Sequence, residues 1–353
     1  MASNVPVKDF SNLTELNEEQ KRQLSELERA QGVASDAGYR IVAPQPSAKL
    51  LSGYTIPLVG LGTWKSAKGE VGAAVATALR AGYRHIDCAR IYQNEHEVGE
   101  ALAAVLAEGV VKREEVFITS KLWNSDHDPA RVEAACRKSM EDLRVDYLDL
   151  YLMHWPVTGN PGPTVQPPLA DTWAAMEQLV DKGLVRTIGV SNFSAKKLEA
   201  LMAGARIQPA VNQVEAHPYW RNEELRAWCA ARGIHLTAYS PLGSPDSAAV
   251  IGRSADVPSP LKDETVAAVA AELGKSPAQV LIRWAVQRGT SVLPKSVNPQ
   301  RIAANLDVVG GWELAPEQVA ALDALPLQRR MVDGSFWVDA RGPYRSTAEL
   351  WDE

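Results

Sequence analysis

The stretch YLDLYLMHW, residues 147–155, is apolar along most of its length and ends on a histidine and a tryptophan. A strand with one face in water alternates apolar and polar side chains. A near-continuous run implies burial on both faces, as in a parallel sheet covered by helices. Working outward, similar runs recur: IPLVGLGTW (56–64), YRHIDCA (83–89), EVFITSKLW (115–123), VRTIGVSNF (185–193), PAVNQVEAH (209–217), GIHLTAYSPL (233–242) and TSVLPKS (290–296). Between them lie longer segments with apolar residues three and four apart, such as GEVGAAVATALRAG, NEHEVGEALAAVLAEG, DPARVEAACRKSMEDL and TWAAMEQLVDKG. That spacing predicts amphipathic helices. Eight strand candidates alternating with helices fit a closed (β/α)8 TIM barrel, an α/β fold, better than an open doubly wound sheet. GLGTWK has two glycines but no third in the place a Rossmann fingerprint needs, and no other GxGxxG occurs.

The chain has 353 residues, a formal net charge of −6 and the apolar and charged fractions of a globular protein. Barrels of this kind exceed 250 residues as one domain, so one large domain with attachments is expected. The charge gives no reason to expect nucleic acid or an anionic membrane as partner, and no apolar run is long enough to cross a bilayer. Three cysteines, Cys88, Cys136 and Cys229, read as free buried thiols of a reduced intracellular chain. The segment NLTELNEEQKRQLSELERAQG is acidic, lacks an apolar signal core, and has Asn17 and Gln20 at capping-box spacing. It predicts a short helix over residues 18–29 and argues against a transit peptide. Residues 1–46 are expected to be an appended extension ending in APQPSAK, and residues 47–353 the barrel domain. Localisation is expected to be cytoplasmic, with a plastid as the alternative. Glycosylation patterns at Asn12 and Asn192 read as chance.

Barrels place their chemistry at the carboxyl ends of the strands. Those ends carry Gly62, Thr63 and Trp64 after the first run, then Asp87, Lys121, His154, Ser191 with Asn192, Gln213, Ser240, and Lys295 with Ser296. Singly, each has a plain explanation: Lys121 as a snorkelling lysine, His154 as a core histidine, Asp87 as a loop cap. Jointly they gather polar groups on one rim. A phenol such as Tyr92 is a poor acid at neutral pH, and a neighbouring ammonium lowers its pKa. Lys121 can supply that charge and Asp87 can hold it. His154 can point an N–H at a carbonyl oxygen, which together makes a site for carbonyl reduction.

With these residues in place, the sequence resembles the aldo-keto reductase superfamily from about residue 47 onward. The matching stretches are GLGTWK, GYRHIDCARIYQNEHEVG, FITSKLW, LMHWP, IGVSNF, NQVEAHPY, AYSPLG and LPKSVNPQRIAANLD, in the family's order. The ending GPYRSTAELWDE resembles the plant and algal type, an NADPH-dependent aldehyde or aldose reductase. The resemblance implies a catalytic tetrad of Asp87, Tyr92, Lys121 and His154, with Tyr92 as general acid whose pKa Lys121 and Asp87 depress. It implies NADPH/NADP+ as cofactor, since no side chain donates hydride. Ser191, Asn192 and Gln213 would hold the carboxamide and Tyr239 would stack on the nicotinamide, with Gly62, Thr63 and Trp64 nearby. Ser240, Leu242 and Ser244 would meet the pyrophosphate. Lys295, Ser296, Val297, Arg301 and Asn305 would meet the adenosine 2′-phosphate and adenine. Ala304 stands where many relatives carry glutamate.

Trp64, Trp123 and Trp155 follow strands that bear site residues and, with Tyr92, His154 and Trp337, are expected to wall an apolar substrate pocket. Phe336, Trp337, Tyr344 and Trp351 predict a carboxyl-terminal tail that folds back across the rim. HEVGE lacks the second histidine of HExxH, and no zinc spacing occurs, so no metal is expected. His85, His96, His127, His217 and His235 read as structural or surface residues. The expected partner is a small-molecule carbonyl substrate, the expected state a monomer. A second reading keeps the barrel as a cofactor-binding regulatory or structural protein.

Overall fold

The computed structural model describes residues 45–159, 162–244 and 258–353. The helix expected over residues 18–29 and the pattern at Asn12 lie outside the described residues. An antiparallel hairpin comes first, β1 (Ser47–Lys49) and β2 (Thr55–Pro57). Eight parallel strands follow: β3 (Leu61–Gly62), β4 (His85–Asp87), β5 (Phe117–Leu122), β6 (Leu148–Met153), β7 (Val185–Ser191), β8 (Val211–Glu215), β9 (His235–Tyr239) and β10 (Ser291–Leu293). Each pairs with the next in chain order. Parallel bridges Val59 to Val292 and Gly62 to Lys295 join first strand to last, which closes the barrel.

The strands are connected by α1 (Val71–Ala81), α2 (Glu95–Ala107), α3 (Pro129–Leu143), α4 (Leu169–Asp181), α5 (Ala195–Met202), α6 (Glu223–Ala230), and the pair α7 (Glu264–Leu273) and α8 (Pro277–Gln287). After β10 come α9 (Pro299–Leu306), α10 (Pro316–Asp323) and α11 (Thr347–Trp351). Local chemistry sets these limits. In α3, Asp128 accepts from the Ala130 N–H and Pro129 takes the first helical position, where its missing N–H costs nothing. Val132, Ala135, Cys136, Ser139, Met140 and Leu143 are buried at three- and four-residue spacing, and Arg144 in the left-handed region ends the helix.

The β6 strand shows why its sequence lacks alternation. All six of its residues are buried. Leu148, Tyr151 and Met153 belong to the main apolar cluster, which also takes in Trp173 and Met176 of α4. Leu150 and Leu152 pack instead with Phe117, Val211 and the hairpin's Leu50 and Ile56. The hairpin therefore stoppers the amino-terminal mouth of the barrel, which seals its interior from water and leaves the carboxyl end as the open one. A third cluster, Trp155, Val157, Val332, Tyr344, Leu350 and Trp351, joins the chain's end to the loop after β6. The tail is laid back against the rim, with the Tyr344 hydroxyl donating to Pro156 O at 2.9 Å. Cys88, Cys136 and Cys229 are buried and free. Among the described residues no helix is long and apolar enough to cross a membrane.

Candidate active site

Strand ends position the reactive groups. Asp87 closes β4, a single turn of 3-10 helix over Arg90–Tyr92 follows, Lys121 lies on β5, and His154 comes directly after β6. Lys121, only 1% exposed, places Nζ 2.6 Å from Asp87 Oδ2 and donates to Cys88 O at 2.9 Å and to the Tyr92 hydroxyl at 3.3 Å. Gln213 of β8 reaches across the barrel to donate to Asp87 Oδ1 at 2.8 Å. The Tyr92 and His154 rings meet edge to face with centroids 5.9 Å apart, and Trp123 packs on the other side of His154 at 5.2 Å.

Burial works against the charge on Lys121, but the Asp87 carboxylate and the Tyr92 hydroxyl outweigh it and hold the ammonium above the usual lysine range. For Tyr92 the expectation of a depressed pKa is corrected. Burial pushes its phenol up to about 12. Lys121 pulls the other way through charge and hydrogen bond, yet Asp87 cancels part of that field by raising the phenol. The physical reason is first the loss of water on burial, and second that the ammonium arrives with its counter-charge, so the phenol feels a pair rather than a cation. The phenol is thereby kept protonated. His154 is pushed well below the usual histidine range by burial, with Lys121 and His127 adding to it. Its imidazole is neutral, able to donate one N–H without adding a charge.

These groups open onto one cavity of about 1080 Å³ at the carboxyl end of the barrel. Of the expected residues, Gly62, Trp64, Asp87, Tyr92, Trp123, His154, Trp155, Ser191, Asn192, Gln213, Tyr239, Ser240, Leu242, Ser244, Lys295, Ser296, Val297, Arg301, Asn305 and Trp337 all line it. Lys121 stands behind Asp87 and Tyr92. Thr63 also sits behind the wall: it is fully buried, and its hydroxyl donates to Asp87 O at 2.8 Å. The cavity also meets Phe336, expected on the returning tail, and Lys65, Ile91, Leu261 and Val332, which sequence reasoning did not name. Lys65 reaches Ser244 Oγ at 3.4 Å and lies over the Trp64 ring at 4.5 Å. Its position beside Trp64 was the available signal.

The residues fit a dinucleotide. Asn192, in the left-handed region, donates to His154 O at 3.0 Å and accepts from the Tyr239 hydroxyl at 2.8 Å, while Ser191 donates to Gln213 O at 2.8 Å. The internal bonds of the buried Asn192 leave a glycan no room. Amide and hydroxyl groups of this kind are what a carboxamide requires, and Tyr239 offers a ring beside them. At the other end, Asn298 caps α9 by accepting from the Arg301 N–H at 3.0 Å, and Ser296 accepts from the Asn298 N–H at 3.1 Å. This fixes the loop carrying Lys295 against the first turn of α9 carrying Arg301, two cations suited to a phosphate. Ala304 lines the same wall and offers no hydrogen-bonding group.

The sequence profile described as Aldo/keto reductase family matches residues 58–326. The chain is 49% identical over 312 residues to aldo-keto reductase family 4 member C11 of Arabidopsis thaliana, covering 86% of this chain and 96% of that one. It is 48% identical over 308 residues to aldo-keto reductase family 1 member A1 of Mus musculus, covering 84% and 94%. Among solved structures it resembles a Bombyx mori aldo-keto reductase in complex with NADP, with TM-score 0.78, 38% identity and coverage of 86% and 99%. It likewise resembles the aldose reductase from Schistosoma japonicum, with TM-score 0.73, 39% identity and the same coverage.

Proposed function

Because this chain belongs to the aldo/keto reductase family, we propose that it reduces aldehydes, and some ketones or aldoses, to alcohols with NADPH, using Tyr92 as the proton donor. The observation that carries the reading is the sharing of one buried ammonium, Lys121, between Asp87 at 2.6 Å and the Tyr92 hydroxyl at 3.3 Å. When bound, the reduced nicotinamide supplies the hydride, which no side chain can do. Ser191, Asn192 and Gln213 would hold its carboxamide, Tyr239 its ring, Ser240, Leu242 and Ser244 the pyrophosphate, and Lys295, Ser296 and Arg301 the 2′-phosphate.

The rest follows from this chain's own groups. His154 donates an N–H to the carbonyl oxygen and turns it toward Tyr92. The Tyr92 hydroxyl gives up its proton to that oxygen as the carbon is reduced. The phenolate left behind is stabilised by Lys121, whose charge Asp87 preserves. Burial that keeps the phenol protonated also makes its phenolate expensive, so the ammonium acts where charge develops. Trp64, Trp123, Trp155 and Trp337 line the cavity and suit an apolar substrate body. Trp337 comes from the tail, which gives the tail a part in reading substrate.

The test is to mix the pure protein with NADPH and para-nitrobenzaldehyde, then a panel of aldehydes, and follow NADPH absorbance. Turnover with several aldehydes is expected. NADPH binding without any turnover would favour a regulatory role for the same barrel.

A further inference from the structure

Glu215 is a buried carboxylate that takes no part in the site described above. It is the last residue of β8, two positions after Gln213, so both side chains leave the strand on the same face. It is 1% exposed, and both of its oxygens are engaged. Oε1 accepts from the Met331 backbone N–H at 2.6 Å and from His217 Nε2 at 2.7 Å. Oε2 accepts from the Val332 backbone N–H at 2.6 Å. One carboxylate thus grips two successive amides of the tail, fixing its position and its direction at once.

The loop beyond β8 completes the grip. Pro218 O accepts from the Gln328 side chain at 3.0 Å, and Arg221 donates to Leu325 O at 2.9 Å. The second clamped residue, Val332, already lines the cavity, followed by Phe336 and Trp337. Those two rings pack on Trp155, with centroids 5.6 and 6.1 Å away. A buried charge is a costly way to hold a segment that apolar contacts could also cover, and such groups are best attested where register must be unique. We propose that Glu215 is a positioning residue for substrate selectivity: its carboxylate sets where the tail enters the rim and hence where Val332, Phe336 and Trp337 stand. This rests on the reading that the tail contacts substrate.

The test is Glu215→Gln in the full-length protein, with kcat and KM for a small and a bulky aldehyde and amide hydrogen exchange over residues 331–337. The glutamine keeps one acceptor and turns an N–H toward the other amide. The bulky-to-small ratio of kcat/KM should change by about tenfold, mainly through KM, with NADPH affinity unchanged and exchange at 331–337 faster. The same substitution in a protein ending at Arg330 should leave the ratio where truncation alone puts it. If truncation changes the ratio while Glu215→Gln changes neither ratio nor exchange, the positioning role is overturned and the tail reading stands. If truncation scales all substrates alike, the tail reading fails and the proposal with it. Should Glu215→Gln not fold, Val332→Pro removes one of the same hydrogen bonds from the tail side and must shift the ratio in the same direction. An unchanged ratio in that variant would also overturn the proposal.

Discussion

Gln213 donates its side-chain amide to Asp87 Oδ1 at 2.8 Å, so the carboxylate that holds Lys121 is itself held from the far side of the barrel. Asp87 is therefore fixed by two strands, its neighbour β5 and β8 across the barrel. Asp87→Asn leaves a buried ammonium without its counter-charge. Removing one partner of such a pair costs about 3–5 kcal/mol, so the urea midpoint should fall, and kcat should fall with it as Lys121 tends to lose its proton. An unchanged midpoint would show that the pair contributes little to the folded state.

Tyr92→Phe deletes the hydroxyl and keeps the ring that faces Trp64 and His154. The kcat for aldehyde reduction should drop by at least about 10²-fold, while NADPH affinity, measured by fluorescence titration, stays within error. Near-normal turnover would remove Tyr92 from the role of acid.

Lys295 sits on the loop before α9, and Arg301 lies in the first turn of that helix, which Asn298 caps. Replacing both by alanine should weaken NADPH far more than NADH, because a dianionic phosphate gains charge-assisted hydrogen bonds that a ribose hydroxyl does not. Equal loss for the two nucleotides would place the phosphate elsewhere.

Deleting residues from Met331 onward removes Val332, Phe336 and Trp337 from the cavity wall and strips Tyr344, Leu350 and Trp351 from Trp155. In a product that still folds by circular dichroism, kcat/KM should change by about tenfold for some aldehydes and little for others. NADPH affinity should persist. Uniform scaling across substrates would mean that the tail only seals the barrel.

Three buried histidines should weaken the fold in acid. Burial pushes His85, His127 and His235 down to about 4, with each of the first and third near another titrating group. His235 Nε2 accepts from the Ser291 N–H at 3.1 Å, a bond that protonation would abolish. Unfolded, each titrates near about 6.5. A depressed folded value means stability present above about 6.5 that is lost as pH falls toward about 4. Each group adds a slope of up to roughly 1.4 kcal/mol per pH unit in that window. Urea unfolding at successive pH values should show this decline, and His235→Gln should lower the slope by about one proton. A flat profile would show that these rings stay accessible to protons in the fold.

The strand order and the rim residues were legible because burial on both faces writes itself into sequence as uninterrupted apolar runs ending in polar groups. The run IPLVGLGTW was less faithful: it spans two structures, with Ile56 and Pro57 in the stopper hairpin and only Leu61 and Gly62 in the barrel strand. Three-residue strands leave too short a pattern to separate from a loop. Tyr92 does stand on the cavity beside Lys121, but the direction of its shift is opposite to that expected, because one-dimensional reasoning counts the ammonium and omits its counter-ion and the loss of water. Glu215 was equally visible, two residues beyond Gln213 on an alternating strand. Nothing local, however, shows that its partners are amides more than a hundred positions later. Contacts of that kind exist only once the tail has come home.

The seam between β3 and β10 bears on how the molecule comes together. The Gly62 N–H donates to Pro294 O at 3.1 Å, and a Cβ at Gly62 would stand 3.0 Å from Leu293 O, so the join is made backbone to backbone. Its two sides lie near opposite ends of the barrel sequence, and the entropy of closing that loop falls on this joint more than on any between neighbouring strands. The cavity is built from both sides of it, Gly62 and Trp64 on one and Lys295 and Ser296 on the other. A nucleotide lying along that wall would touch the first strand and the last together and would work as a clasp. Its binding free energy would add to the cohesion of the whole ring, so a chain deprived of nucleotide would lose support first at this seam.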